Sequence, residues 1–355
     1  MSVTKLLIVC VAALVLSASQ VRAQESYKLH EGTIGGAQFA VAEPATWNGT
    51  LVLVAHGLRA ADAPIVHGFN PDYKGYRYVI QDGWMIAATS YRRNGVIISD
   101  AVTDLDNLLG HVTKEFGTPK RVLVDGSSMG GIIGTLMAER SLKTYHGVLA
   151  KGAALGMSDS RTPFKLTYTP QLPLLFLSNQ DEVAQVRRYA EKVDNDSIAP
   201  VVWKIERDGH VNINAREHEA ALRALDRWVG TGEVERNAEA TMPNPPAISK
   251  AVFRNGGAHG SVTEVTSDFG NINTDFIMAD LEKIGIDRRD TFTVKSGSNS
   301  VSVVLGTDYG DVSRGEWVAF ISWEGMLRIA RNFDNAAEGL GCKTGDSISI
   351  MAIDR

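Results

Sequence analysis

RVLVDGSSMGGIIGTLMAER, residues Arg121 to Arg140, is the stretch that decides the fold. Its apolar opening reads as a strand buried on both faces, and its apolar second half reads as a helix. Between them lies a tight turn with Ser128 at its apex. Gly126 and Gly130 flank it in the spacing G-x-S-x-G. Without Cβ atoms at those two positions, strand and helix can close up around the serine. The helix start then aims free amides and the positive end of its dipole at negative charge developing beside Ser128. Ser127 is a competing hydroxyl, but it holds the variable position of the motif.

The same alternation extends on both sides, from Ser26 to about Gly230. Leu51 to Ala55 and Trp84 to Thr89 are predicted strands. Asp100 caps a predicted helix whose apolar face is Val102, Leu105, Leu108, Leu109, Val112 and Phe116. Gly117 and Pro119 stop it. Gly147 to Ala150, Leu172 to Leu177 and Pro200 to Ile205 are further predicted strands, and Ala215 to Val229 is an amphipathic helix. Tyr27 to Leu29 and Gln38 to Val41 suit an antiparallel edge. Strands alternating with helices imply a mostly parallel sheet covered on both faces.

A serine hydroxyl attacks well only when a base removes its proton. His210 closes Trp203 to His210 (WKIERDGH) just past a strand and is the candidate base. Asp181 follows the preceding strand and is the candidate acid that orients the imidazole, with its neighbour Glu182 as the alternative. Backbone amides should hold the oxyanion. That of Met129 is the first candidate, and that of Leu58 in the turn His56-Gly57-Leu58 is the second. His56 precedes the nucleophile and is expected to shape that turn. Tyr91 and Arg92 follow a strand end on the same side of the sheet. They are candidates for substrate contact, with solvated loop residues as the alternative.

Ser128, Asp181 and His210, in that order and each past a strand, resemble the α/β-hydrolase superfamily. The resemblance implies a Ser-His-Asp serine hydrolase that needs no metal or cofactor; it does not fix the substrate, and carboxylic esters, small or polymeric, are expected by analogy with the fold's common chemistry. Between Lys151 and Gln171 there is little room for a cap, so an open site is expected.

The length, 355 residues, suits two domains. The net charge of −5 comes with no basic, aromatic-interleaved patch, so no nucleic-acid partner is expected. Lys5, the apolar run Leu6 to Leu16 and the small residues around Val21-Arg22-Ala23 form the pattern of a signal peptide over residues 1–23. The run is shorter than the ~20 residues of a spanning helix. A secreted or periplasmic protein beginning near Gln24, with no stable membrane insertion, is therefore expected. Loss of Lys5 and Arg22 takes the charge from −5 to −7. Cys10 leaves with that segment, so Cys342 has no partner for an internal disulfide. There is no HExxH, no cysteine cluster and no GxxxxGK[ST] loop.

The catalytic stretch is expected over residues 24–230. Residues 231–250 carry three prolines and read as a linker. Residues 251–355 read as a small β-domain, with short strands predicted at Val262 to Val265, Thr291 to Val294, Val301 to Val304, Trp317 to Ile321, Leu327 to Ile329 and Ser347 to Ile350. Ser267-Asp268-Phe269-Gly270-Asn271 with Asn273-Thr274-Asp275, then Glu324-Gly325-Met326-Leu327, then Asn335 to Gly341 with Gly345-Asp346, resemble motifs of the SAM hydroxide adenosyltransferase and fluorinase family. The likeness covers roughly Gly260 to Arg355, the β-barrel-like C-terminal domain of that family. It implies trimers and an adenine-contacting segment near Arg331 and Asn335. The family's SAM-binding half is missing here, so adenosyl transfer is not expected. Binding of a nucleoside-like ligand, or subunit assembly, is the alternative reading of this domain.

Overall fold

The computed structural model describes residues 27–140, 144–194, 197–244, 246–266 and 269–353. The expected signal peptide and the motif residues Ser267 and Asp268 lie outside these residues.

Eight strands form the first sheet: β1 (Tyr27–Ile34), β2 (Ala37–Pro44), β3 (Thr50–Ala55), β4 (Met85–Thr89), β5 (Arg121–Ser127), β6 (Gly147–Lys151), β7 (Leu174–Asn179) and β8 (Val201–Ile205). Their order is β1-β2-β4-β3-β5-β6-β7-β8. β2 runs antiparallel to both its neighbours, and every other pairing is parallel. This is the strand order of the α/β-hydrolase fold. Five helices connect the strands: α1 (Lys74–Gln81), α2 (Ser99–Phe116), α3 (Met129–Glu139), α4 (Val183–Ala190) and α5 (Ala215–Thr231). One face of the sheet packs on α2, α3 and α4 through Leu105, Ile132 and Val186. The other face packs on α1 and α5 through Val79, Leu222 and Trp228. Central strands covered on both faces are apolar throughout, which is why LVLVA and WMIAAT were readable as strands.

β7 starts and ends two residues later than predicted. Pro173 has no N–H to give to the ladder, and its carbonyl instead accepts from the Val148 amide at 2.8 Å. At the other end Ser178 and Asn179 look like loop residues, yet they pair with Lys204 and Ile205 of β8. The expected linker is partly laid against the sheet. The Ala240 amide donates to the Lys204 carbonyl at 2.8 Å, and Val234, Ala238 and Ala240 join the α1/α5 core. Their small apolar side chains cover an edge that β8 would otherwise leave open.

The second sheet holds β9 (Val252–Arg254), β10 (Gly257–Val265), β11 (Ile272–Ile277), β12 (Thr291–Ser296), β13 (Asn299–Leu305), β14 (Trp317–Ile321), β15 (Met326–Arg331) and β16 (Ser347–Ala352), with short helices α6 (Met278–Lys283) and α7 (Ala336–Leu340). The order β11-β15-β14-β13-β12-β16-β10 closes on itself through a β10–β11 pairing, and β9 adds to β10. The result is a closed seven-stranded barrel around Phe276, Phe292 and Ile329. β11 is not evident from the sequence, because its middle, Asn273-Thr274-Asp275, is polar. Its side chains are satisfied inside: Asn273 donates to Glu264 at 2.9 Å, Thr274 to the Leu327 carbonyl at 2.8 Å, and Asp275 accepts from the Ser261 amide at 2.8 Å.

Candidate active site

The β5–α3 turn packs as tightly as the sequence requires. A Cβ on Gly126 would collide with the Gly130 carbonyl, and one on Gly130 with the Ala55 carbonyl of β3. Ser128 itself is held at φ 56, ψ −115. That region costs a non-glycine residue about 1–3 kcal/mol unless its surroundings enforce it. Here the Ser128 amide donates to the Lys151 carbonyl at 2.9 Å, and its carbonyl accepts from Gly131 and Ala154.

His210 meets that hydroxyl. Its Nε2 lies 2.8 Å from Ser128 Oγ, and its Nδ1 lies 2.6 Å from Glu182 Oε2. The carboxylate partner of His210 is therefore Glu182, not the expected Asp181. Because β7 continues to Asn179, residue 182 rather than 181 reaches the imidazole. Asp181 instead accepts from the Gly209 amide at 2.9 Å and holds the turn into His210. Glu182 Oε1 also accepts from the amides of Asn179 and Val211, each at 3.3 Å. Gly152 makes room for it, since a Cβ there would sit 2.7 Å from Glu182 Oε1. Nothing in the local sequence singled out Gly152.

The histidine loop is braced from both ends. Buried Asn179 donates to the carbonyls of Arg207 and Asn212 and accepts from the Asn212 amide. Arg207 pairs in a fork with Glu217, which forms a capping box with Asn214 at the start of α5. Burial pulls the pKa of His210 down. The Glu182 hydrogen bond and charge, joined by Asp308 and Asp181, outweigh it and leave the imidazole above its ordinary value.

Across the site, Gly57 approaches the elbow. A Cβ on it would lie 3.3 Å from Ser128 Cβ. The Met129 amide is the first of α3 and has no intrahelical acceptor. Leu58 turns its side chain onto the α2/α3 core. His56 shapes this turn, its Nδ1 donating to the Gly57 carbonyl at 2.7 Å and its ring stacked on Tyr91 at 4.0 Å. Burial and the Arg59 charge hold His56 neutral, with a pKa of about 3.

Tyr91 is fully buried, so it supports the His56 turn from beneath and has no face open to a substrate. Apolar packing below the turn wins over exposure at the strand end. The Arg92 guanidinium is bound to Asp104 Oδ1 through Nε at 2.9 Å and Nη2 at 2.7 Å. It anchors the loop to α2. Residues 152–173 contain no helix or strand, and Leu155, Met157, Phe164 and Leu166 of that segment pack against the α2/α3 core. On the far side of the histidine loop, a cleft of about 330 Å³ between that loop and the barrel is lined by Arg207, Asp208, Asn212, Arg288 and Thr307.

In the barrel, the motif residues lock onto one another. A Cβ on Gly270 would strike Asn335 Oδ1, and the amides of Ala336 and Ala337 donate to the carbonyls of Phe269 and Gly270. Asn335 caps α7 through the Glu338 amide at 3.0 Å, Arg331 pairs with Asp334 at 2.6 Å, and Asn271 donates to the Tyr309 hydroxyl at 2.9 Å.

Fold and elbow together define an α/β-hydrolase fold fused to a closed barrel. Residues 261–349 match the SAM hydroxide adenosyltransferase C-terminal domain family. Comparison with curated proteins returns no match. Among solved structures, the chain is similar to an uncharacterized conserved protein from Thermotoga maritima. The identity is 27% and the TM-score 0.28, over 39% of this chain and only 50% of that one. It is also similar to an esterase of Pyrococcus furiosus at 17% identity and a TM-score of 0.44, over 57% of this chain and 93% of that one. A putative dienelactone hydrolase from Klebsiella pneumoniae matches at 16% identity and a TM-score of 0.44, over 57% and 98%.

Proposed function

We propose that the protein is a serine hydrolase that cleaves carboxylic esters through an acyl-enzyme. The observation that carries this reading is the unbroken chain from Ser128 Oγ through His210 to Glu182, at 2.8 and 2.6 Å. Neutral His210 takes the serine proton as Oγ attacks the ester carbonyl. Glu182 fixes the imidazole so that Nε2 faces the serine, and it stabilises the imidazolium that forms. The amides of Met129 and of the Gly57-Leu58 turn hold the oxyanion. His210 then returns the proton to the leaving alcohol, and a water molecule activated by the same ring releases the acid. Ester rather than amide cleavage is chosen by analogy with the fold's common chemistry. Secretion or a periplasmic location rests on residues 1–23 alone.

Replacing Ser128 with Ala should lower turnover of short nitrophenyl esters by about 10³-fold or more, with the thermal transition retained. Turnover equal to that of the parent protein would end this reading. A second reading, binding of a nucleoside-like ligand by the barrel, is favoured by the family match over residues 261–349. Calorimetric titration with adenosine tests it.

A further inference from the structure

The barrel touches the first sheet at the loop that carries His210. Gly209, at φ +112, lies so close that a Cβ on it would be 3.2 Å from the Thr307 carbonyl oxygen. Arg288 pairs with Asp208 at 3.1 Å, and Asn212 reaches the Ile321 carbonyl at 3.5 Å. Three consecutive stretches of the barrel thus bear on residues 208–212. Thr307 stands opposite Gly209, and Asp308 and His210 are the residues that follow these two in the chain. The charge of Asp308 is felt at the ring, raising its affinity for a proton.

The segment from Gly306 to Asp311 is built rather than loose. Asp311 Oδ2 accepts from the Thr307 amide, from its hydroxyl at 3.0 Å and from the Asp308 amide at 3.3 Å. The Gly306 amide donates to the Ala319 carbonyl at 2.8 Å. Tyr309 packs edge-on against Phe320 at 5.1 Å and takes a hydrogen bond from Asn271, a residue of the family motif. Asp308 Oδ1 accepts from the Gly310 amide, which fixes the side chain within its turn. The acids nearest His210 on its own side are committed elsewhere: Glu182 to Nδ1, Asp181 to the Gly209 amide, and Asp208 to Gln180 and Arg288.

We infer that the Gly306–Asp311 loop of the barrel is a wall of the catalytic site, and that Asp308 selects against substrates carrying an anionic group near the scissile ester. The inference rests on the serine-hydrolase reading above and adds its substrate class: neutral or cationic esters. A negative charge held at the rim repels a like-charged acyl or leaving group and favours a cation, the usual way in which one misplaced like charge sets specificity.

The experiment compares kcat/KM for three esters in the full-length protein: nitrophenyl acetate, the nitrophenyl monoester of glutaric acid, and a choline ester. Asp308→Asn and Asp308→Lys are assayed beside the parent. The ratio of the anionic to the neutral ester should rise about tenfold in the Lys variant and less in the Asn variant, while the choline ester loses ground. In Asp308→Asn the acid limb of the neutral-ester profile should also move to lower pH, because a field that favours the imidazolium has been removed. Asn keeps the turn's acceptor, so it remains decisive if the Lys variant misfolds. Unchanged ester ratios together with an unmoved acid limb would overturn the inference. That result is distinct from failure of the hydrolase reading, in which Ser128→Ala would retain its turnover.

Discussion

A carboxylate against the Nδ1 of a catalytic imidazole selects its tautomer and stabilises the cation that forms during proton transfer. Two candidates for that position sit side by side in this chain, and only Glu182 reaches the ring, at 2.6 Å. Glu182→Gln should therefore lower kcat by roughly 10³–10⁴-fold, whereas Asp181→Asn, which keeps an acceptor for the Gly209 amide, should change it by less than about tenfold. Parallel kinetics on one neutral ester check this, and equal losses in both variants would contradict it. The pKa of His210 is raised, so activity in the parent should appear only as pH climbs past the ordinary histidine range and the ring becomes neutral. Loss of the Glu182 charge should shift that limb downward as it lowers the plateau. The choice between the two acids was not legible locally. It is set by where β7 stops, and that depends on pairing with β8, a partner more than twenty residues away.

The elbow, by contrast, could be read from its own residues, because each of its requirements is local. Gly126, Ser128 and Gly130 obey a steric rule in which strand, turn and helix share one crossing point. Gly130→Ala would drive a Cβ into the Ala55 carbonyl, and the only relief is to move α3 off the sheet. A loss of at least about 3 kcal/mol is expected, with reduced turnover because Ser128 moves with the helix start. Chemical denaturation and ester kinetics on the same sample check both effects. A variant as stable as its parent would show that the crossing is looser than described. Other elements hid their logic. Asp125, Lys151 and His218 are ionisable residues inside the α1/α5 side of the sheet. Lys151 Nζ and His218 Nε2 lie 2.9 and 2.8 Å from Asp125 Oδ2, and the Tyr76 hydroxyl donates to it at 2.6 Å. No periodicity marks such a network, since its members come from β5, β6, α1 and α5. Burial works against the charge on Asp125, but His218, Lys151 and the hydrogen bonds prevail and hold its pKa well below the carboxylate range.

Across the whole chain, the two sheets keep separate cores. Among the described residues, the apolar clusters of the first sheet contain no residue of the barrel, and those of the barrel no residue of the first sheet. What joins them is mostly polar: Arg288 with Asp208, Asn212 with the Ile321 carbonyl, Asn244 with the Trp323 carbonyl, and one edge contact of Tyr73 with Trp323 at 6.4 Å. Interfaces of this kind couple domains weakly. Six of the barrel's seven strands were readable from short alternating runs, β11 was not, and the barrel's closure and its seat on the histidine loop depend on pairings that no local pattern carries. Calorimetry should therefore resolve two transitions. Phe292→Ala empties a fully buried site in the barrel and should lower one of them, by about 3–5 kcal/mol. Lys151→Met leaves Asp125 short of a buried partner and should lower the other by a similar amount, about 3–5 kcal/mol. Because the barrel bears on Gly209, ester turnover in Phe292→Ala should fail with the barrel transition, at a temperature where the first sheet is still folded. A single transition shifted by both substitutions, or turnover that outlasts the barrel, would mean that the two halves are joined differently from this account.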